Sequence, residues 1–200
     1  GQILRNNIIM EYAFFGSLQD WMLSNGIFRW EFAIRYVTYP FIHLSFMQTL
    51  IATVMFLALG KMVCEIYNGF LFFALIFTSS VSGAFFYGLI LNDQFPLIGL
   101  FPAIYGLIGA YTYILWASLR SVGAKSANAF ILVALLLGIQ ILFKFLFNGA
   151  NDWIADLFGF FSGFLFAFLT NLLKFSCLNS FHSLCKIIKS DFLQAELIFS

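Results

Sequence analysis

Long apolar runs alternate with short polar breaks along this chain, and each run has about the length an α-helix needs to cross hydrocarbon. Five runs are predicted to span: Tyr36 to Leu59, Gly69 to Leu91, Leu97 to Leu119, Ala129 to Phe147 and Trp153 to Leu173. The breaks read GKMVCEIYN, NDQFP, RSVGAKSAN and NGAND. Every break carries Gly, Asn, Asp or Lys, residues that stop a helix or sit among headgroups. The expected fold class is all-α, a polytopic membrane helical bundle.

Basic residues orient such a bundle, because Lys and Arg in short loops stay on the cytoplasmic side. Lys61, then Arg120 with Lys125, then Lys174 with Lys186 and Lys189 follow the first, third and fifth runs, whereas Asn92 to Pro96 and Asn148 to Asp152 hold none. The C-terminus is therefore expected inside and residues 1–35 outside, with residues 36–173 as the transmembrane domain. In the leading segment Arg5, Glu11, Asp20, Arg29, Glu31 and Arg35 interrupt any span, and Trp21, Phe28 and Trp30 suit headgroup depth, so it is expected to lie on the outer interface. It has neither an initiator Met nor a signal-peptide pattern, and an upstream transmembrane helix is expected before it. Residues 174–200 alternate Lys186, Lys189, Asp191 and Glu196 with apolar residues, as a cytoplasmic amphipathic tail would.

Composition agrees with the pattern and removes other classes. The chain is 62% apolar and 10% charged, with 29 Phe, against about half apolar and about a quarter charged in soluble domains. A soluble protein is excluded, and a net charge of +1 gives no field for nucleic acid. Cys64, Cys177 and Cys185 fall on the reducing side, so no disulfide framework is expected. With His43 and His182 the only histidines, neither a metal nor another cofactor is expected.

Small residues at spacings of three or four let membrane helices approach closely. Gly99, Ala103, Gly106 and Ala110 make such a face on the third run, and Gly159, Gly163 and Ala167 make one on the fifth. These two helices are expected to touch. Three ionisable groups fall within spans, where each is costly. Lys144 is read as snorkelling or pairing with Asp152 or Asp156. Asp156, facing the seam, serves either a function or a structural pair with Lys144 or Tyr105. His43, two turns into its span, is read first as satisfying a buried hydrogen bond.

The strings RYVTYPFIHLSFMQTLIATVMFLALG, GLFPAIYGLIGA and ADLFGFFSGFL resemble, in order and spacing from Arg35 to Leu173, the rhomboid superfamily of intramembrane proteins. The resemblance implies a six-helix core, of which five spans are present. Arg35, Thr38, His43 and Gly60 match the family's second core helix, but Gln48 stands where its second His would be and Ala52 where its Asn would be. The family's Gly-x-Ser-Gly, with Ser as nucleophile, reads Gly99-Leu100-Phe101-Pro102. Beyond it Ala103, Tyr105, Gly106 and Ala110 match again. The family's Ala-His-x-x-Gly-x-x-x-Gly, with His as base, keeps Gly159 and Gly163 but has Asp156 for the His.

Serine peptidase chemistry needs a nucleophilic oxygen, a base to take its proton and donors for the oxyanion. Phe101 has no nucleophilic atom, Asp156 has no hydroxyl to serve, and Ala52 has no donor. Ser45, Ser79, Ser80, Ser82 and Ser162 lie in or beside spans without a second His at hand. The resemblance therefore implies an inactive member, a pseudoprotease in a serine-type endopeptidase family, whose partners are the lipid bilayer and a transmembrane client protein. Its location is expected to be a bacterial inner membrane. Two alternatives stay open: an active intramembrane peptidase with a displaced site, and a small transporter or channel subunit built on Lys144, Asp152 and Asp156.

Overall fold

A helix begins where side chains satisfy its first free backbone amides, and such caps set the frame of this bundle. The computed structural model describes residues 2–91, 95–147 and 151–173, with the side chains at 2–5, 140 and 143–147 left out. Four short helices, α1 (Gln2–Tyr12), α2 (Gly16–Asn25), α3 (Trp30–Ala33) and α4 (Arg35–Thr38), lead into a 3-10 turn at Tyr39–Phe41. The longer helices follow: α5 (Phe46–Cys64), α6 (Gly69–Ile90), α7 (Phe101–Ser121), α8 (Ile131–Phe147) and α9 (Trp153–Leu173). Gly1–Ala167 forms one compact unit, and a second unit begins at Phe168. Among the described residues no strand forms, and one isolated antiparallel bridge joins Phe14 to Leu97.

The first expected span is corrected at both ends. It starts at Phe46 rather than Tyr36, because Pro40 sits in the 3-10 turn, Ile42 is extended, and Ser45 caps the helix by accepting from the Gln48 amide at 3.2 Å. Gln48 answers by accepting the Leu44 amide at its Oε1, 2.8 Å away, a reciprocal arrangement close to a capping box. The helix then continues past Leu59 through Gly60 and Lys61 to Cys64. Gly60 is tolerated within it because a Cβ there would already lie 3.3 Å from the Phe72 ring of α6. His43 consequently lies in the extended link ahead of α5, not two turns inside a span.

The second and fifth expected spans coincide with α6 and α9 to within a residue. Asn68 starts α6 by accepting the Leu71 amide at 2.9 Å. The third begins at Phe101 instead of Leu97, since Leu97 exchanges two backbone hydrogen bonds with Phe14 (2.8 and 3.2 Å) and Gly99 turns the chain at φ +99°. The fourth is the short one. Helix α8 has 17 residues, about 25 Å at 1.5 Å per residue against a core of about 30 Å. Helices α5, α6, α7 and α9 are each long and apolar enough to cross a membrane.

Helix α7 sits at the centre. In its apolar window 61% of residues are buried, against 17% in α5 and 28% in α6. Its glycines explain how neighbours come so close. A Cβ at Gly106 would meet Ser79 of α6, one at Gly109 would meet the Phe160 carbonyl of α9, and one at Gly163 would meet the Gly106 carbonyl. Gly159 likewise stands on the Pro102 carbonyl. Close backbone approach of this kind supplies the dispersion contact that lipid cannot.

The leading helices dock on the end of the bundle that holds Leu91 and Leu97. A Cβ on Gly16 would lie 2.6 Å from the Leu91 carbonyl. Arg35 donates to the Ala13 carbonyl (3.2 Å) and Thr38 to the Tyr12 carbonyl (2.8 Å), tying α4 to the α1–α2 corner. Phe28 and Trp30 project outward, 74% and 72% exposed.

Candidate functional site

The cap of α5, the 3-10 turn and the turn before α7 meet around one point, Gly99. Its amide donates to the Tyr39 carbonyl at 3.1 Å, which holds the turn against the 3-10 segment. With φ at +99°, this position strongly favours glycine. A Cβ placed there would lie 3.2 Å from Gln48 Nε2, 3.7 Å from Phe101 Cδ2 and 3.9 Å from His43 Cδ2. His43, Gln48, Gly99 and Phe101, distant in sequence, are thus gathered at one place. Gln48 uses its oxygen on the Leu44 amide and keeps its Nε2 toward Gly99. The Nε2 of His43 is buried and, among the described residues, without a hydrogen-bond partner.

Ala52, one turn further along α5, is fully buried and packs with Ile104, Tyr105 and Ile108 of α7, Val133 of α8 and Phe160 of α9. It brings a methyl group and no donor. Phe101 opens α7, and Pro102 fills the first turn, where a missing amide costs nothing.

On the other side, Asp156 is 1% exposed in the first turn of α9. Pro102 and Ala155, the neighbours of Phe101 and Asp156, converge on α6: the Cβ position of Gly83 lies 2.8 Å from both the Pro102 Cβ and the Ala155 carbonyl. Asp156 bears electrostatically on the hydroxyls of both Tyr39 and Tyr105. Tyr39 is fully buried and donates to the Ser80 carbonyl at 2.8 Å. Burial, and then the Asp156 carboxylate, push its phenol well above the ordinary value, while the Ser80 side chain pulls it the other way. The expected pairing of Lys144 with Asp152 or Asp156 falls outside the described side chains.

Chemically the positions gathered at Gly99 offer N–H donors, and Phe101 itself brings no nucleophilic atom. His43 and Gln48 carry N–H groups, Phe101 carries a ring, and Asp156 is a buried acid among phenols. Ser79 is fully buried against Gly106, between α6 and α7.

The seam residues named from spacing are distributed as follows. Gly106, Gly159 and Gly163 lie at helix–helix backbone contacts, Ala103 and Ala110 are buried in α7, Ala167 is buried in α9, and Gly99 belongs to the turn beside His43. Sequence reasoning missed three participants. Tyr39, Ser79 and Gly83 make α6 and the 3-10 turn part of the same seam. The small-residue stretch Ser79-Ser80-Val81-Ser82-Gly83-Ala84 was the available signal for α6.

No curated protein matches the chain. The Rhomboid domain matches residues 31–172, most of its length, and with helices long and apolar enough to cross a bilayer several times this places the chain in the rhomboid family of integral, multi-pass membrane proteins.

Proposed function

We propose that this rhomboid-family protein is catalytically inactive and binds the transmembrane segments of client proteins. The observation that carries the reading is Phe101 at the head of α7, beside Gly99, His43 and Gln48. A peptide carbonyl brought there would meet side-chain donors and a phenyl ring at residue 101, and by the resemblance the buried acid Asp156 takes the position of the family's base. Binding without cleavage is the chemistry such a cluster supports.

Two helices offer the client surface. Both α5, through Ala52, and α8, through Val133, lie against the same stretch of α7. Their outer faces carry Phe46, Leu50, Val54 and Leu57, and Leu135 and Leu142, all exposed. A transmembrane helix with complementary apolar side chains would settle between them by packing. The basic residues Lys61, Arg120 and Lys125 favour an orientation with the α5–α6 and α7–α8 loops in the cytoplasm.

The test joins a fluorescent transmembrane substrate with a serine-directed fluorophosphonate probe on the full chain in liposomes. The expected result is neither cleavage nor labelling, together with photo-crosslinks to a client helix from positions 50 and 54. Reproducible labelling and turnover would overturn the inactive reading; crosslinks equal to those from positions facing away from α8 would overturn the client reading.

A further inference from the structure

Helix α7 ends by folding back on itself. The Ala124 amide donates to the Leu119 carbonyl at 3.0 Å and the Gly123 amide to the Arg120 carbonyl at 3.3 Å, with Gly123 at φ +72°, the pair of bonds that closes a Schellman turn. The 3-10 segment Ser126–Phe130 that follows packs against α7. Lys125, which caps that segment, is therefore returned beside the end of α7 that carries Arg120.

Both cations face outward. Arg120 and Lys125 are exposed, and among the described residues neither has an acid partner. Glu65 caps α5 at the same end of the bundle, where Val63 and Tyr67 pack with Tyr113, yet it pairs with neither cation. The acids gather elsewhere: Glu11, Asp20, Glu31, Asp152 and Asp156 lie in the leading helices and at the start of α9.

Arg120 is also held in place. Its guanidinium lies over the Trp116 ring at 5.3 Å, Trp116 stands 6.0 Å from Tyr113, and Tyr113 meets Phe164 of α9 edge-on at 5.4 Å. A guanidinium anchored in this way keeps its planar fork ready for phosphate and loses little freedom on binding it. Trp116, one turn inside, suits the boundary between hydrocarbon and headgroups, and Val122 projects beside it at 75% exposure. A phosphate at that depth belongs to a lipid. With no acid held beside the two cations to receive a choline or an ammonium, the surface complements a headgroup of net negative charge.

We propose that Arg120 and Lys125 bind the phosphate of an anionic phospholipid of the phosphatidylglycerol type, with Trp116 holding the Arg120 fork in position. Helix α7 has 21 residues, about 30 Å, so this site lies at the opposite end from Phe101 and stands whether or not a client helix binds. It pins the entrance to α8 at headgroup depth.

Native mass spectrometry of the full detergent-solubilised chain, titrated with palmitoyl-oleoyl-phosphatidylglycerol or the matching phosphatidylcholine, tests it. Phosphatidylglycerol should bind about tenfold more tightly. The double variant Arg120→Gln/Lys125→Gln, at exposed positions, should abolish that preference. Trp116→Leu keeps both charges and should still reduce it about threefold, whereas Lys61→Gln, which removes one charge from the same end, should leave it unchanged. The variants thus separate a built site from a general field of positive charge. A preference that is absent in wild type, survives the double variant, ignores Trp116→Leu or falls as far with Lys61→Gln as with Arg120→Gln would overturn the proposal. Displacement of the lipid by glycerol 3-phosphate at equal concentration would overturn it too, by assigning the cations to a soluble phosphate.

Discussion

Gly163 on α9 meets Gly106 on α7 so closely that the carbonyl of Gly106 stands where a Cβ of Gly163 would be. Neither backbone can retreat cheaply, because Gly106 is itself pressed against Ser79 on α6. Gly163→Ala should therefore destabilise the bundle by about 1–3 kcal/mol through overpacking, read as a shift in detergent unfolding. Gly138→Ala in α8 is the matched control, since a Cβ there meets nothing within 4 Å; it should be neutral or mildly stabilising, as alanine favours helix over glycine. Equal effects from the two would remove the close contact as the cause.

The Asp156 carboxylate bears on Tyr39 and Tyr105 from a position 1% exposed. Asparagine keeps its shape and hydrogen-bonding capacity, so Asp156→Asn should unfold close to wild type. Leucine removes both and leaves buried polar groups facing hydrocarbon, at a cost of about 1–3 kcal/mol. The same unfolding assay decides: a leucine variant as stable as wild type would mean that Asp156 has no structural part in the seam.

Much of this was legible in the chain, for identifiable reasons. The limits of α6 and α9 follow from uninterrupted apolar runs between Asn68 and Leu91 and after Asp152. The contact of Gly106 with Gly163 follows from the spacing of small residues on two helices. What hydrophobicity cannot register is a cap. Val37, Phe41, Ile42 and Leu44 let Tyr36 to Ser45 read as the start of the span, yet Pro40 in the 3-10 turn and the Ser45–Gln48 exchange start α5 only after His43. The role of Gly99 was hidden similarly: its spacing fits the small-residue face of α7, while its positive φ and its hydrogen bond to Tyr39 place it in the turn. Tyr39 itself gave no signal, because its partner Ser80 lies 41 residues away.

Alkaline pH should loosen the docking of the leading helices. Burial pushes the Tyr36 phenol from an ordinary value near 10 up to about 12, and its proton is the one donated to Gln19. With the folded value raised, the stabilisation is complete below pH 10 and is lost as pH rises from there toward 12, because the unfolded chain releases this proton first. Unfolding measured across that window should show a shallower decline for Tyr36→Phe than for wild type. Parallel curves would assign the alkaline loss to other groups.

Restoring a hydroxyl alone should not restore a peptidase. Phe101→Ser would place an Oγ at the head of α7 near His43 and Gln48, but Asp156 offers no imidazole to take its proton, and a general base is worth typically 10²–10⁴ in rate. The single variant should therefore label with a fluorophosphonate no faster than wild type. Phe101→Ser combined with Asp156→His supplies both partners from turns whose neighbours, Pro102 and Ala155, already converge on Gly83. Labelling should then rise above the single variant while remaining slow, because Ala52 still contributes no donor to the oxyanion. Phe101→Ser reacting as fast as the double variant would show that a base other than residue 156 reaches this position, and the account of Asp156 as the reason for inactivity would fail.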